Sequence, residues 1–493
     1  MSVSDTRRHK EQATKKLAWF HRWLGVFTCL VFALWFASGA VLLFKPFPSL
    51  PRPYQLMLEQ PVAFPAVAIS PARAMAAAGG GEALRLVQRG RVPAYIVGMG
   101  TSVAVVDALT GVPLPLIDQA EASAIATRLG GAAAGASSAF DYDQWIVHNR
   151  FDPLRPFYRL DMNDTAGTQL YLSARTGELV QRTTRWDRGW NWVGAVLHWA
   201  YFTPIRSSFT VWDRTVWFLS LVALLVAVAG TILGVIRTLA AQRQRKPALT
   251  FYRLRWMRWH HLLGLFAGIF VLTWILSGWL SMDHGRLFSR GQASNTALAR
   301  YAGQSLQAAM APVRPADFLR YGKARELSFT VVGGSAIVTA WQADGAVVRS
   351  FANGMPLDTE RVAMLGSAGI AAAWPGATVA APVPIAPTNI YALAEGWPGT
   401  ALLYAGVPGV RPDIVVDGTD GRILTMLDGS RKAYAWIYYA LHTFNVPGLT
   451  THTLLRKIVV LIPLLFGFAF SITGVVIGYQ RLRKTLFPQR RMT

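Results

Sequence analysis

Residues 23–44 read WLGVFTCLVFALWFASGAVLLF, a run from Trp23 to Phe44 without a single Asp, Glu, Lys, Arg or His. About 20 apolar residues, rising 1.5 Å each as a helix, cross the roughly 30 Å hydrocarbon core of a bilayer. Three further stretches share this character: Thr215–Ile236, Leu262–Met282 and Ile458–Tyr479. Four such runs in one chain define an α-helical membrane protein with four transmembrane helices. The composition agrees. Hydrophobic residues make up 52% and charged residues 15%, against roughly 25% charged in a soluble domain. With 18 Trp, 25 Phe and 15 Tyr the chain is not disordered. Its single cysteine, Cys29, excludes an intramolecular disulfide framework, a cysteine-based zinc site and an iron–sulfur cluster.

The excess of basic residues sets the expected orientation. Lys plus Arg is 49 and Asp plus Glu is 26, so the net charge is 49 − 26 = +23. Much of the excess flanks the apolar runs: Arg7, Arg8, Lys10, Lys15, Lys16 and Arg22 before the first; Arg237, Arg243, Arg245, Lys246, Arg253, Arg255 and Arg258 between the second and third; Arg481, Arg483, Lys484, Arg490 and Arg491 after the fourth. Short basic segments stay in the cytoplasm, so both termini are expected inside a bacterial inner membrane. The charge then needs no nucleic acid to explain it. The first run is too long for a signal-peptide core and reads as an uncleaved anchor.

This gives a chain organised as a cytoplasmic basic tail (1–16), a first helix (17–44), an outer domain (45–189), an outer histidine segment with the second helix (190–237), a basic loop (238–256), a third helix (257–282), a second outer domain (283–432), an outer histidine segment with the fourth helix (433–480) and a basic tail (481–493). Both outer domains are expected to be α+β. Phe157–Asp161 and 168–172 alternate with period two, and Ala174-Arg-Thr-Gly177 closes them as a turn. Ala94–Val97 and Val103–Val106, ending at Asp107-Ala-Leu-Thr-Gly111, do the same. Ser70–Ala78 and Gln119–Leu129 read as helices.

The chain also repeats itself. His21-Arg-Trp-Leu-Gly25 matches His260-His-Leu-Leu-Gly264 at an offset of 239, and Trp35, Ser38 and Gly39 match Trp274, Ser277 and Gly278 at the same offset. His198 matches His442 at an offset of 244, which Gly230 and Gly474, Gly234 and Gly478, and Arg237 and Arg481 also keep. Two halves that both start inside are parallel repeats, related by a pseudo-two-fold along the membrane normal. Four of the nine histidines thereby form two symmetry-related pairs, His21 with His260 near the cytoplasmic face and His198 with His442 near the outer face.

For a lone interfacial histidine the ordinary reading is packing among Trp and Tyr at the bilayer edge. Two pairs related by a repeat suit axial ligation of haem iron, where two imidazoles hold a non-covalent b-type haem. Two such sites give two b-type haems as stepping stones across the membrane. Zinc would want further ligands from Cys or carboxylate, and a proton relay would want carboxylates within the spans; no Asp or Glu lies inside the spans. His261, His284 and His452, also near membrane boundaries, are the alternative ligands. Gly25 and Gly264, one turn beyond His21 and His260, either make room for a porphyrin or permit close helix packing; Gly39, Gly278, Gly230 and Gly474 read as packing glycines distant from the ligand pairs. Arg155, Arg159 and Arg185 are candidate anion attractors, with a solvated surface the simpler reading. No P-loop, dinucleotide fingerprint, H-E-x-x-H or G-x-S-x-G is present. An electron donor would thus be a separate cytoplasmic reductase or a membrane quinol.

The order of His21-Arg-Trp-Leu-Gly25 with Ser38-Gly39, Asp107-Ala-Leu-Thr-Gly111, Tyr171-Leu-Ser-Ala-Arg-Thr-Gly-Glu178, Leu441-His-Thr-Phe444 and Ile472-Thr-Gly474 resembles the PepSY-associated transmembrane proteins. The resemblance runs from about residue 17 to 485 and is weak across 283–430. It implies PepSY-like periplasmic α+β domains and, since the family includes di-haem ferric-siderophore reductases of the inner membrane, reduction of a ferric siderophore or other ferric chelate to release iron. PepSY modules also occur in proteins without redox chemistry, which makes a non-catalytic membrane regulator or assembly factor binding periplasmic proteins the alternative.

Overall fold

The structure, a computed structural model, describes residues 3–244, 250, 252–407, 410 and 412–487. Arg245, Lys246, Arg490 and Arg491, counted above among the basic flanks, lie outside the described residues. The chain divides into two units. One is helical and comprises Met1–Phe47, Gly189–Phe288 and Ala433–Thr493; the other is α+β and comprises Pro48–Arg188 and Ser289–Lys432.

The helical unit holds four helices long and apolar enough to span a membrane: Val3–Phe44, Phe209–Arg243, Arg255–Ser281 and Thr453–Leu486. Each extends its charge-free run at one or both ends by turns that carry charged residues. They pack through a shared core of Phe32, Phe36, Ala223, Val226, Ala267, Val271, Trp274 and Leu464. Small residues allow the close approach: a Cβ on Gly467 would stand 2.4 Å from the Phe36 ring. Before the second and fourth helices the chain makes two π-helical turns, Trp192–Val196 and Trp436–His442. Both segments then break at a residue with positive φ, Ala200 (51°) and Phe444 (56°). Both are tied back to the following helix. The Trp212 Nε1–H donates to the Trp199 carbonyl (2.6 Å), and Arg456 Nη1 donates to the Thr443 carbonyl (3.0 Å). The starts of the two π-turns, the positive-φ residues and both tie-back bonds keep the 244-residue offset.

In the α+β unit, Pro48–Arg188 and Ser289–Lys432 share one sheet. Strand Ala83–Arg89 pairs with Glu326–Val332, placing Leu84 opposite Phe329 and Leu86 opposite Leu327. The result is one antiparallel six-stranded sheet, ordered 347–351, 335–341, 326–332, 83–89, 92–99, 102–107. Its inward residues alternate, so Leu84, Leu86, Tyr95, Val97, Leu327 and Phe329 fill one core with Phe318 and Tyr321. Each segment adds a four-stranded sheet. The first contains the hairpin Gln169–Ser173 and Leu179–Thr183, turned at Gly177 (φ 74°), under the helix Gln119–Gly130. The second contains Ala401–Tyr404, Asp413–Asp417 and Ile423–Leu427 with the helix Thr359–Ala373. Helix starts follow the expected caps: Ser70 accepts from the Arg73 amide and Asp118 from that of Glu121.

A charged cluster lies beside the six-stranded sheet. Arg85 bridges Glu178 (2.6 Å) and Glu326 (2.9 Å), and Arg52 reaches Glu326 at 2.8 Å. Glu59 accepts from the Leu179 amide at 3.1 Å. Burial, and then the nearby Glu178 carboxylate, push it up from the usual 4.5 to about 7. The folded protein therefore keeps a proton that the unfolded chain releases earlier. The stability this group contributes is complete below about 4.5 and is lost as the pH rises through about 7. Glu59→Gln should flatten the fall in the thermal unfolding midpoint between pH 5 and pH 8. An unchanged slope would assign the dependence to other groups.

Candidate functional site

The helical unit brings the four repeat-related histidines together as two pairs. The rings of His21 and His260 have centroids 6.4 Å apart and planes at 41°; those of His198 and His442 are 6.3 Å apart at 67°. His21 and Ser38 are 17 residues apart on the first helix, as are His260 and Ser277 on the third. Since Ser38 and Ser277 touch the second pair, the two pairs stand about 25 Å apart along the helices.

All four imidazoles are held through Nδ1. His198 Nδ1 meets Ser38 Oγ at 3.0 Å and His442 Nδ1 meets Ser277 Oγ at 3.0 Å. His260 Nδ1 meets Thr473 Oγ1 at 2.9 Å. His21 Nδ1 meets the Val226 carbonyl at 3.1 Å. The acceptors dictate the tautomer. A carbonyl only accepts, so His21 must donate from Nδ1. The three hydroxyls already give their protons to carbonyls one turn back, those of Trp35 (3.2 Å), Trp274 (3.1 Å) and Phe470 (2.5 Å). With those bonds kept, each accepts from its histidine, which assigns the proton to Nδ1 in all four rings and leaves Nε2 as the lone-pair nitrogen.

Glycines make room for these rings. A Cβ on Gly230 would stand 2.6 Å from His21 Cε1, one on Gly39 3.4 Å from His198 Cε1, one on Gly278 3.3 Å from His442 Cε1, and one on Gly474 3.6 Å from His260 Cε1. The reading of these four as packing glycines distant from the ligand pairs is thus corrected: each lies against one of the four imidazoles. The cause is the pairing of helix ends, which brings the end of one apolar run beside the histidine flanking another. Of the two glycines one turn beyond a histidine, Gly25 faces open space, whereas Gly264 faces Phe470 at 3.0 Å, which itself stacks on His260 (4.5 Å).

The other histidines have different surroundings. His261 Nε2 faces the Gly234 carbonyl (3.2 Å) and Thr238 Oγ1 (3.3 Å), a bond between the third and second helices. His284 Nδ1 meets Asp213 at 2.6 Å and its ring lies on Trp217. His452 Nδ1 faces the Gly448 carbonyl at 2.8 Å just before the fourth helix. His148 caps a short 3₁₀ turn and His9 is exposed. The candidate anion-attracting arginines have local partners: Arg155 is buried with Asp152, Arg159 reaches Asp143 and Asp161, and Arg185 packs on Gly167.

Two imidazoles bound to one metal at about 2.0–2.1 Å each, with the ring centre roughly 1.2 Å behind the nitrogen, put the centroids roughly 6.4 Å apart. The observed 6.4 and 6.3 Å fit a single metal between each pair. Among the described residues no group of three or more His, Cys, Asp and Glu is assembled as a metal site. The donor set is therefore two neutral nitrogens in an apolar setting. That suits a metal whose remaining ligands come from a macrocycle.

These features define a protein of four membrane-type helices that bring four half-buried histidines together as two pairs. The family model described as the PepSY-associated TM region matches residues 18–481. The chain belongs to the PepSY-associated transmembrane family. No curated protein and no solved structure matches it.

The tautomers can be checked without any bound group. Nitrogen-15 NMR of histidine-labelled apoprotein should show Nδ1–H with bare Nε2 for His21, His198, His260 and His442, and the opposite tautomer for His261. Nε2 protonation of the four would contradict the assigned hydrogen bonds.

Proposed function

We propose that this protein is an inner-membrane reductase that passes electrons across the bilayer to a periplasmic ferric siderophore or other ferric chelate. The observation that carries the reading is the spacing of two separate imidazole pairs, each with Nδ1 anchored and Nε2 bare. His21 and His260 would hold one b-type haem, and His198 and His442 the other. Haem iron supplies one-electron chemistry by alternating between its ferric and ferrous forms.

The chain does the rest. Its hydroxyls and one carbonyl fix the tautomers and aim the rings. Gly39, Gly230, Gly278 and Gly474 admit the rings at helix contacts. Phe36, Phe270 and Phe444 pack on Trp274 at centroid distances of 5.8, 6.1 and 5.7 Å, and Trp274 Nε1 donates to the His442 carbonyl at 2.9 Å, so this apolar cluster stands on the inner side of the second pair. In this reading the two halves are parallel repeats and the basic flanks stay in the cytoplasm. The first pair then lies toward the cytoplasm and the second toward the periplasm, with the α+β unit outside. Electrons enter at the level of His21 and His260 from a membrane quinol or a separate cytoplasmic reductase. They leave at the level of His198 and His442. One-electron reduction of Fe(III) loosens a chelator that favours the ferric ion.

The series arrangement is testable in vesicles with the α+β unit facing outward. With His21 and His260 replaced by Ala, reduced haem at the remaining pair should still be reoxidised rapidly by an external ferric chelate. With His198 and His442 replaced instead, reoxidation should slow at least tenfold, because about 25 Å of helix separates the remaining pair from the outer level. Equal rates would overturn the series arrangement. Haem-free protein in both cases and in the wild type would favour the regulator or assembly role.

A further inference from the structure

The two pairs are not held alike. Both members of the second pair give their Nδ1 protons to serine hydroxyls, one from each half: His198 to Ser38 and His442 to Ser277, both at 3.0 Å. In the first pair only His260 has a hydroxyl partner, Thr473 at 2.9 Å. The position related to Thr473 by the 244-residue offset is Ala229, which has no hydroxyl. His21 turns instead to the Val226 carbonyl, and Val226 is the counterpart of Phe470, whose carbonyl receives the Thr473 proton. On one side the helix carbonyl is the imidazole's only hydrogen-bond partner among the described residues; on the other a threonine hydroxyl takes the better-placed bond beside the Phe470 carbonyl. Thr473, Ser38 and Ser277 occupy buried or half-buried helix contacts within the core of the unit, with Ser38 and Ser277 fully buried. Their hydroxyls have no exposed role to play.

On the haem reading above, we infer that Ser38, Ser277 and Thr473 are positioning residues that set the reduction potential of the iron at their own pair, two side chains for the second pair and one for the first. An Nδ1–H that donates a hydrogen bond shifts electron density toward Nε2 and makes the imidazole a more basic ligand. A more basic ligand favours the ferric state and lowers the potential. Deleting the hydroxyl leaves the donor only the helix carbonyl beside it, that of Trp35, Trp274 or Phe470, which lies outside good hydrogen-bond geometry, so the potential rises. A polarised hydroxyl that already donates to a helix carbonyl is a strengthened acceptor, which makes its loss felt. The first pair keeps one partner that no side-chain substitution removes, the Val226 carbonyl. The potential of the second pair is therefore adjustable from both ligands and that of the first from one.

The test is potentiometric titration of the full-length purified protein, followed by visible absorbance. Each wave is assigned in the double-alanine variant that retains only that pair. Ser38→Ala and Ser277→Ala should each move the wave of the second pair to higher potential, with additive shifts in the double variant and the first wave unmoved. Thr473→Val, which keeps side-chain shape and removes the hydroxyl, should move only the first wave upward; Thr473→Ser should restore it. If a hydroxyl-less variant loses its haem while the hydroxyl-bearing replacement keeps it, the hydroxyl is again shown to anchor that ligand. Waves that ignore all three substitutions, or a Thr473→Val shift common to both waves, overturn the assignment. Wild-type protein that takes up no haem instead removes the reading on which it rests.

Discussion

A histidine ring inside a helix bundle has two nitrogens, and in an apolar setting neither can be left to water. An N–H buried without an acceptor costs on the order of 1–3 kcal/mol. Here the constraint is met on one side only. Ser38, Ser277, Thr473 and the Val226 carbonyl each take the Nδ1 proton of one ring. The opposite nitrogen is left as a directed lone pair. The helix arrangement follows from that need. Each acceptor must lie within 3.1 Å of a ring carried by another part of the chain, which requires close helix contacts, closest at Gly230, where a Cβ would stand 2.6 Å from His21, and next at Gly278, 3.3 Å from His442.

The second pair makes the constraint most visible. His198 and His442 do not lie in the long helices. His198 follows one π-helical turn, His442 ends the other, and both precede positive-φ residues, Ala200 and Phe444. A π-turn widens the helix and redirects side chains, and such turns recur at functional sites. The Trp212 and Arg456 bonds then pin the carbonyls that follow each histidine. A segment that must aim one ring at a fixed distance from another is thus over-determined by backbone geometry on one side and a helix anchor on the other. The α+β unit shows the same economy differently: Leu84–Val87 pairs with Glu326–Phe329 and so joins two distant stretches of chain in one sheet.

The membrane helices were readable because 20 residues without charge have few alternatives. The histidine pairs were readable because one offset recurred along each of two helices. Hairpins such as Gln169–Thr183 were readable from alternation closed by Gly177. The positioning hydroxyls were not. Ser38 and Ser277 stood out as repeat matches, yet nothing in the chain says that the C-terminal end of the first helix meets a histidine 160 residues away. Gly230 looked like a packing residue for the same reason: its partner, His21, sits on another helix. The shared six-stranded sheet was hidden because strand order between segments 241 residues apart, as at Arg85 and Glu326, leaves no local signal.

The central claim is that each imidazole pair holds one haem. Its most direct measurement is the haem-to-protein ratio of the full-length chain, purified from membranes after expression with adequate haem supply and read by pyridine haemochrome absorbance against amino-acid analysis. The account predicts two b-type haems per chain, with low-spin ferric signals of two bis-imidazole sites in electron paramagnetic resonance. A protein that is well folded but haem-free, even after incubation with excess haemin, would contradict it.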